Sequence, residues 1–259
     1  MMGMLARQIN QVCQAFGVRP KVVYRSIANL PGFIKDWITY TRSPGAGDFP
    51  VRIKHLHPVL ADLGHEAGVT SGHYFHQDLW AARKIYERRP ATHVDVGSRI
   101  DGFVAHLLTF MPVTVVDIRH LRSSVAGLTF LKSDATNLTE LGDGSVESVS
   151  SLHAVEHFGL GRYGDAIDPH GWRAGLRSLA RVLRRGGRLY LSLPIGVPRV
   201  EFNAHRVFAP ATILEALADL QLVSFSAVDD AGDLAENVNP ENYATALFSC
   251  GLFEYTKMT

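Results

Sequence analysis

The sequence predicts an α/β protein built on a mostly parallel sheet with helices on both faces, preceded by an N-terminal helical extension. Three observations carry that expectation. After Pro90, short β-rich runs alternate with helical stretches, which is the sequence form of βαβ units. The first run leads through a glycine turn into an apolar helix start. Residues 1–72 show helical periodicity and then a loop rich in proline and glycine. With 259 residues, 46% hydrophobic and 20% charged, the chain can bury a sizeable core.

Taken in order, apolar positions at Leu5, Ile9, Val12 and Phe16, then at Val22, Val23, Ile27 and Leu30, suit two short amphipathic helices. A third runs through Phe33, Ile34, Trp37 and Ile38. The stretch Arg42–Pro50 is loop chemistry and separates the extension, which would cap the site or form a dimer contact, from the domain of residues 73–259. A helix over His73–Glu87 closes at Arg88-Arg89-Pro90, because a residue before proline is pushed out of helical geometry. Strands follow at 92–96, 113–116, 128–131, 146–152 and 188–193. Trp172, Leu176, Leu179, Val182 and Leu183 mark one face of a helix that Gly186-Gly187 would terminate. Two late strands fall at 222–228 and 244–255.

Net charge is +1, but residues 1–90 hold 12 Lys/Arg against 6 Asp/Glu. That basic flank is a solvated face or a meeting point for an anionic substrate or membrane surface. No apolar run suits a membrane-spanning helix, and Met1–Phe16 mixes polar residues into its apolar positions, so a cytoplasmic protein without a signal peptide is expected. Cys13 and Cys250 sit at opposite ends of the chain without zinc-like spacing; they read as reduced cysteines, neither a disulfide nor a thiolate metal site.

The chemistry concentrates at predicted strand ends. In His93-Val-Asp-Val-Gly-Ser-Arg-Ile-Asp-Gly-Phe103, Gly97 lets a backbone approach closely and Asp95 can accept from an ammonium or hydroxyl. Ser98-Arg99-Ile100-Asp101 breaks the dinucleotide GxGxxG pattern and disfavours a nicotinamide enzyme. Asp117 ends the next strand 20 residues beyond Gly97, where a carboxylate can bond both hydroxyls of a ribose. Asp134 stands at the end of the third strand, placed to read an adenine amino group.

Asp95-Val-Gly-Ser98, Asp117, Asp134 and Ser151-Leu-His-Ala-Val-Glu-His157 resemble the ordered motifs of class I S-adenosylmethionine (SAM) dependent methyltransferases, over roughly residues 74–259. His73–Trp80 and Phe158–Asp165 resemble an uncharacterised bacterial branch of that superfamily, a domain of unknown function associated with surface-polysaccharide biosynthesis. The resemblance implies a Rossmann-like fold of seven strands with the last antiparallel, and SAM as cofactor. It places Asp95 and Gly97 near the methionine moiety, Asp117 at the ribose, and Asp134 with Ala135 at the adenine; Ser98, Arg99, Ile118 and His153 are further candidates for the cofactor pocket, with Ser98-Arg99 departing from the usual glycine-rich loop. The implied reaction is O-methylation of a sugar or other small polar acceptor.

A hydroxyl acceptor needs a base, and His153, Glu156 and His157 follow the fourth strand. If that segment turns helically, the three share one face at i, i+3 and i+4. Either His157 or His205 serves as general base, or Glu156, His157 and His205 hold a divalent cation such as Mg²⁺, as in metal-using RNA 2′-O-methyltransferases, or the imidazoles are structural. His55, His57 and His65 form a weaker HxH pattern, Tyr74, Phe75 and Gln77 a candidate lid, and Arg162, Tyr163 and Asp165 candidate substrate contacts. The partner expected is a small-molecule or glycan acceptor, with no nucleic acid. Three rivals are a SAM-binding protein without turnover, a metal-assisted RNA methyltransferase and the nicotinamide oxidoreductase that the missing glycine pattern disfavours.

Overall fold

The computed structural model describes residues 2–64 and 66–258, without the side chains of residues 2–7. Two compact units divide the chain, Met1–Val69 and Thr70–Thr259. The first holds α1 (Met2–Ala15) and α2 (Pro20–Arg42). In the structure α2 runs through Pro31 without a break, merging the second and third expected helices into one, and it buries no residue. Asn29 Nδ2 donates to the carbonyl of Leu60 at 2.8 Å and ties the helix to the following loop. Among the described residues, no helix is long and apolar enough to cross a membrane.

The second unit opens with α3 (His73–Arg88) and then builds a sheet from β1 (His93–Val96), β2 (Val113–Asp117), β3 (Leu128–Lys132), β4 (Val146–Leu152) and β5 (Leu183–Ile195). Between β1 and β2 lie a wide turn at Ile100–Val104 and the short α4 (Ala105–Leu107); α5 (Gly171–Val182) precedes β5. A hairpin of β6 (Arg199–Glu201) and β7 (His205–Val207) leads to α6 (Pro210–Ala216), β8 (Gln221–Val228), β9 (Leu234–Ala235) and β10 (Ser249–Thr256). The main sheet has the order β3-β2-β1-β4-β5-β10-β8-β9, and its first five strands are parallel. Strand β10 enters antiparallel between β5 and β8.

This is a Rossmann-like methyltransferase fold with one strand more than the expected seven. The extra strand is β9, two residues folded back on the end of β8, too short to show a hydrophobic pattern. The helix expected to stop at Gly186-Gly187 stops at Val182, and the two glycines lie inside β5. There they form a bulge: β4 pairs Val146 with Leu183 and then Ser148 with Arg188. Gly186 has φ +72°, and a Cβ on Gly187 would stand 2.8 Å from the Glu147 carbonyl oxygen, so the bulge needs both.

Side chains alternate across the sheet as the two-residue pleat requires. Val116, Leu189 and Leu191 pack with Leu176 and Leu179 of α5 and Ile213 of α6 on one face. Val113, Val115 and Tyr190 pack with Trp80 and Ile85 of α3 and with Phe103 and Leu107 on the other. Both faces are thus covered, and the carboxyl ends of β1 to β4 are left to line a crevice, where open α/β sheets bind ligands.

Candidate active site

A cavity of about 740 Å³ opens at those strand ends, within the range of small-molecule sites. One wall comes from the loops after β1, β2 and β3. Gly97 takes φ +76°, and a Cβ there would stand 3.0 Å from Cβ of Ala154, so only glycine lets the β1 and β4 loops approach this closely. Asp95 lies beneath, wholly buried. It accepts from the Ser98 amide at 3.1 Å, from Ser98 Oγ at 2.5 Å and from Ser150 Oγ at 2.6 Å. Ser98 Oγ in turn accepts from the Leu152 amide at 2.9 Å. Ser150 and Ser148 also hold the two ring nitrogens of buried His93, at 2.9 and 2.8 Å. Burial pushes Asp95 up to about 6 and His93 down to about 3.

Asp95 therefore differs from its sequence-based placement: it does not line the cavity but fixes the loop that does. Gly97, Ser98, Arg99, Asp117, Ile118, Asp134, Ala135 and His153 all line it. Asp117 accepts from Arg119 through the backbone amide at 2.8 Å and through a two-pronged guanidinium contact at 3.0 and 2.6 Å. The Arg119 guanidinium also lies 4.4 Å from the ring centre of Tyr163. Asp134 commits Oδ1 to the amide and hydroxyl of Thr136, an Asx turn. Arg99 pairs with exposed Asp101 at 2.9 Å and stacks on Tyr74.

The opposite wall is built from histidines. His153 follows β4 with φ +48°, a left-handed conformation that histidine tolerates better than most residues. Its amide donates to the Ser192 carbonyl at 3.0 Å and its Nδ1 meets Glu156 Oε1 at 2.7 Å. Its Nε2 is buried without a hydrogen-bond partner, as is Glu156 Oε2. Burial alone would lower His153, but Cys250 and Glu156 outweigh it and hold the imidazole well above its ordinary range. Burial would likewise raise Glu156, and the neighbouring His153 overrides it to hold the carboxylate low.

His157 is lowered by burial. Its Nδ1 lies 2.6 Å from the Ala204 carbonyl. A carbonyl can only accept, so Nδ1 carries the hydrogen and the neutral ring presents its lone pair at Nε2. His205 is also lowered by burial and packs against Phe248; its Nε2 makes no hydrogen bond and lies 3.7 Å from Glu201.

The cation site expected from Glu156, His157 and His205 does not assemble. Val155–His157 is a single tight 3₁₀ turn after a left-handed residue, and it still gathers His153, Glu156 and His157, with Glu156 Oε1 2.7 Å from His153 Nδ1 and 3.7 Å from His157 Nε2. Glu156 bonds His153 and His157 Nδ1 bonds the Ala204 carbonyl, while His205 joins no three-donor cluster with them among the described residues. Among the described residues, the metal-type donors that converge are His73, His153 and Cys250. His55 and His57 gather no third ligand there, and His65 lies outside the described residues.

Of the candidate lid, Tyr74 lines the cavity, but Gln77 is buried and accepts from Ser192 Oγ at 2.5 Å, while Phe75 lies off the cavity. Asp165 is a loop anchor: its carboxylate accepts from the amides of Gly159, Gly161 and Tyr163 at 2.8, 3.1 and 3.1 Å. Those amides hold it below the usual range although burial opposes them. Sequence reasoning misses Arg206, a buried cation that donates to the carbonyls of Phe158 at 2.7 Å and Glu156 at 3.3 Å. Its only signal is its place in Phe202-Asn-Ala-His-Arg-Val-Phe208.

The sheet order, the crossing helices and the crevice define the class I methyltransferase fold. Solved structures agree. A Burkholderia thailandensis 1,6-didemethyltoxoflavin-N1-methyltransferase, solved with S-adenosylhomocysteine, aligns with TM-score 0.51 and 17% identity over 71% of this chain and 79% of its own. The [4+2]-cyclase SpnF aligns at 0.53 and 14%, over 76% and 90%. The YcgJ protein of Bacillus subtilis aligns at 0.50 and 14%, over 71% and 99%. At such identities the likeness is one of fold. Residues 117–239 match the family described as Caenorhabditis protein of unknown function, DUF268. No curated protein matches the chain.

Proposed function

We propose that the cavity binds SAM and that the protein methylates an oxygen of a sugar or other small polar acceptor. The observation that carries this reading is His157, whose tautomer is set by Ala204 so that Nε2 faces proton abstraction as a neutral base. The pocket fits the cofactor: a Cβ at Gly97 would fill the close approach that the cradle needs, and Asp117 and Asp134 stand at successive strand ends. When bound, SAM supplies an electrophilic methyl group for in-line displacement. The residues of the chain then bind, orient and move a proton. Asp117 takes the ribose hydroxyls, with Arg119 holding the carboxylate in place. Arg162 and Tyr163 meet the acceptor, and His157 Nε2 takes its hydroxyl proton.

The fold alone does not select this chemistry, since a [4+2]-cyclase shares it. The deciding experiment is calorimetric titration with SAM, S-adenosylhomocysteine and NAD, followed by a labelled-methyl acceptor screen. Affinity for the SAM pair and label transferred to a hydroxyl support the reading. SAM affinity with no transfer to any acceptor favours a binding protein without turnover, and no affinity sinks the proposal.

A further inference from the structure

We propose that His73, His153 and Cys250 form a zinc site on the histidine wall of the cavity. One ligand atom from each lies within 4.8 Å of the others. The three come from α3, the loop after β4 and the start of β10, so the fold alone brings them together. A tetrahedral zinc centre with Zn–N of about 2.0–2.1 Å and Zn–S of about 2.3 Å spaces its ligand atoms roughly 3.3–3.6 Å apart. A contraction of no more than about 1.5 Å, within reach of small side-chain rotations, therefore closes the cluster.

Each donor is prepared for the role. Metal-bound imidazoles hold the second ring nitrogen on a carboxylate or a backbone carbonyl. His153 does so with Glu156 at 2.7 Å, and His73 does so with the Phe248 carbonyl at 3.1 Å. His153 Nε2 is buried facing Cys250, with no partner outside the three donors themselves, so a metal would take the place of the proton held between them. Cys250 is fully buried, which suits a thiolate ligand and not a nucleophile that a substrate must reach. One sulfur and two imidazoles select Zn²⁺ over the harder Mg²⁺. Both histidines line the cavity and Cys250 does not, so the fourth position is open on the cavity side, as in zinc sites that do chemistry. Spacing in the sequence conceals the site because Cys250 stands 97 residues from His153.

The test uses the full, untagged chain, stripped of metal and titrated with Zn²⁺ against a chromophoric chelator, and with Co²⁺ as a spectroscopic probe. One equivalent of Zn²⁺ should bind, and Co²⁺ should give a sulfur-to-cobalt charge-transfer band with tetrahedral d–d intensity. Cys13→Ser should keep that band and Cys250→Ser should lose it. Should Cys250→Ser fail to fold by circular dichroism, His73→Gln answers the same question. Glu156→Gln, which weakens the orientation of His153, should lower Zn²⁺ affinity roughly 10- to 100-fold. The inference is overturned if no stoichiometric Zn²⁺ binds, or if the band survives Cys250→Ser. It does not depend on methyl transfer: tight Zn²⁺ with no affinity for SAM would sustain this site and refute the proposed function, and the reverse result would do the opposite.

Discussion

The two walls of the cavity are built on different principles. The wall after β1, β2 and β3 is made chiefly of local turns, Ser98 on Asp95, Arg119 on Asp117 and Thr136 on Asp134, with Ser150 and Leu152 of β4 bracing the first of them. The histidine wall has one local pair, His153 with Glu156, and otherwise rests on long-range contacts: His157 to Ala204, Gln77 to Ser192, His73 to Phe248. A wall of local turns can be preformed and shared among many proteins of one fold. A wall of long-range contacts is specific to the chain that builds it, and under the proposed function it is where the choice of acceptor would reside.

That contrast has measurable edges. The largest effect is expected from His157→Gln, which should cut methyl transfer by about 10²- to 10⁴-fold while SAM affinity by calorimetry stays near that of the parent. An equal loss of SAM affinity would erase the division of labour. Asp117→Ala belongs to the other wall and should weaken SAM roughly 10- to 100-fold, the value of hydrogen bonds to a charged group. If turnover at saturating SAM fell as far, the two walls would not be separable. Gly97→Ala forces a side chain into φ +76° and against Ala154. It should cost about 1–2 kcal/mol, seen as a lower Tm, and weaken SAM as well.

The smallest effect lies in the buried network beneath the first wall and is read by pH. His93 has its folded value pushed down to about 3, so the unfolded chain takes up the proton first and stability is lost as pH falls below 6.5. Asp95 is pushed up to about 6 from 3.8, so it contributes stability at low pH that disappears as pH rises through about 6. Between pH 6 and 3.8 the two oppose one another. Relative to the parent, His93→Gln should therefore gain Tm as pH falls from 6.5 to about 4, and Asp95→Asn should lose it. Parallel curves for both variants would show that neither group titrates differently on folding.

Most of the sheet is legible in the sequence because strands and helices differ in apolar period, and the strand-end aspartates announce themselves by falling just after such runs. Asp95 departs from its expected place for a physical reason: strand position says which end a residue occupies but not whether its carboxylate turns outward or inward to two serines. The expected cation site lacks its third donor: Glu156 and His157 come together, but His205 forms no three-donor cluster with them among the described residues. Gly186-Gly187 reads as a helix stop since glycine serves bulges and caps alike. Contacts such as His157 to Ala204, or Cys250 beside His153, join segments whose separation along the chain carries no pattern at all.

Under the proposed function, the loop that Asp165 anchors would give the acceptor a fixed reception. Three amides converging on one carboxylate remove most of the freedom of the segment between Gly159 and Asp165 before any ligand arrives. A molecule meeting Arg162 and Tyr163 then forfeits little chain entropy on their account, and discrimination rests on steric and polar match at first encounter. Arrival would be limited by diffusion and orientation, with no slow ordering of this segment to gate it.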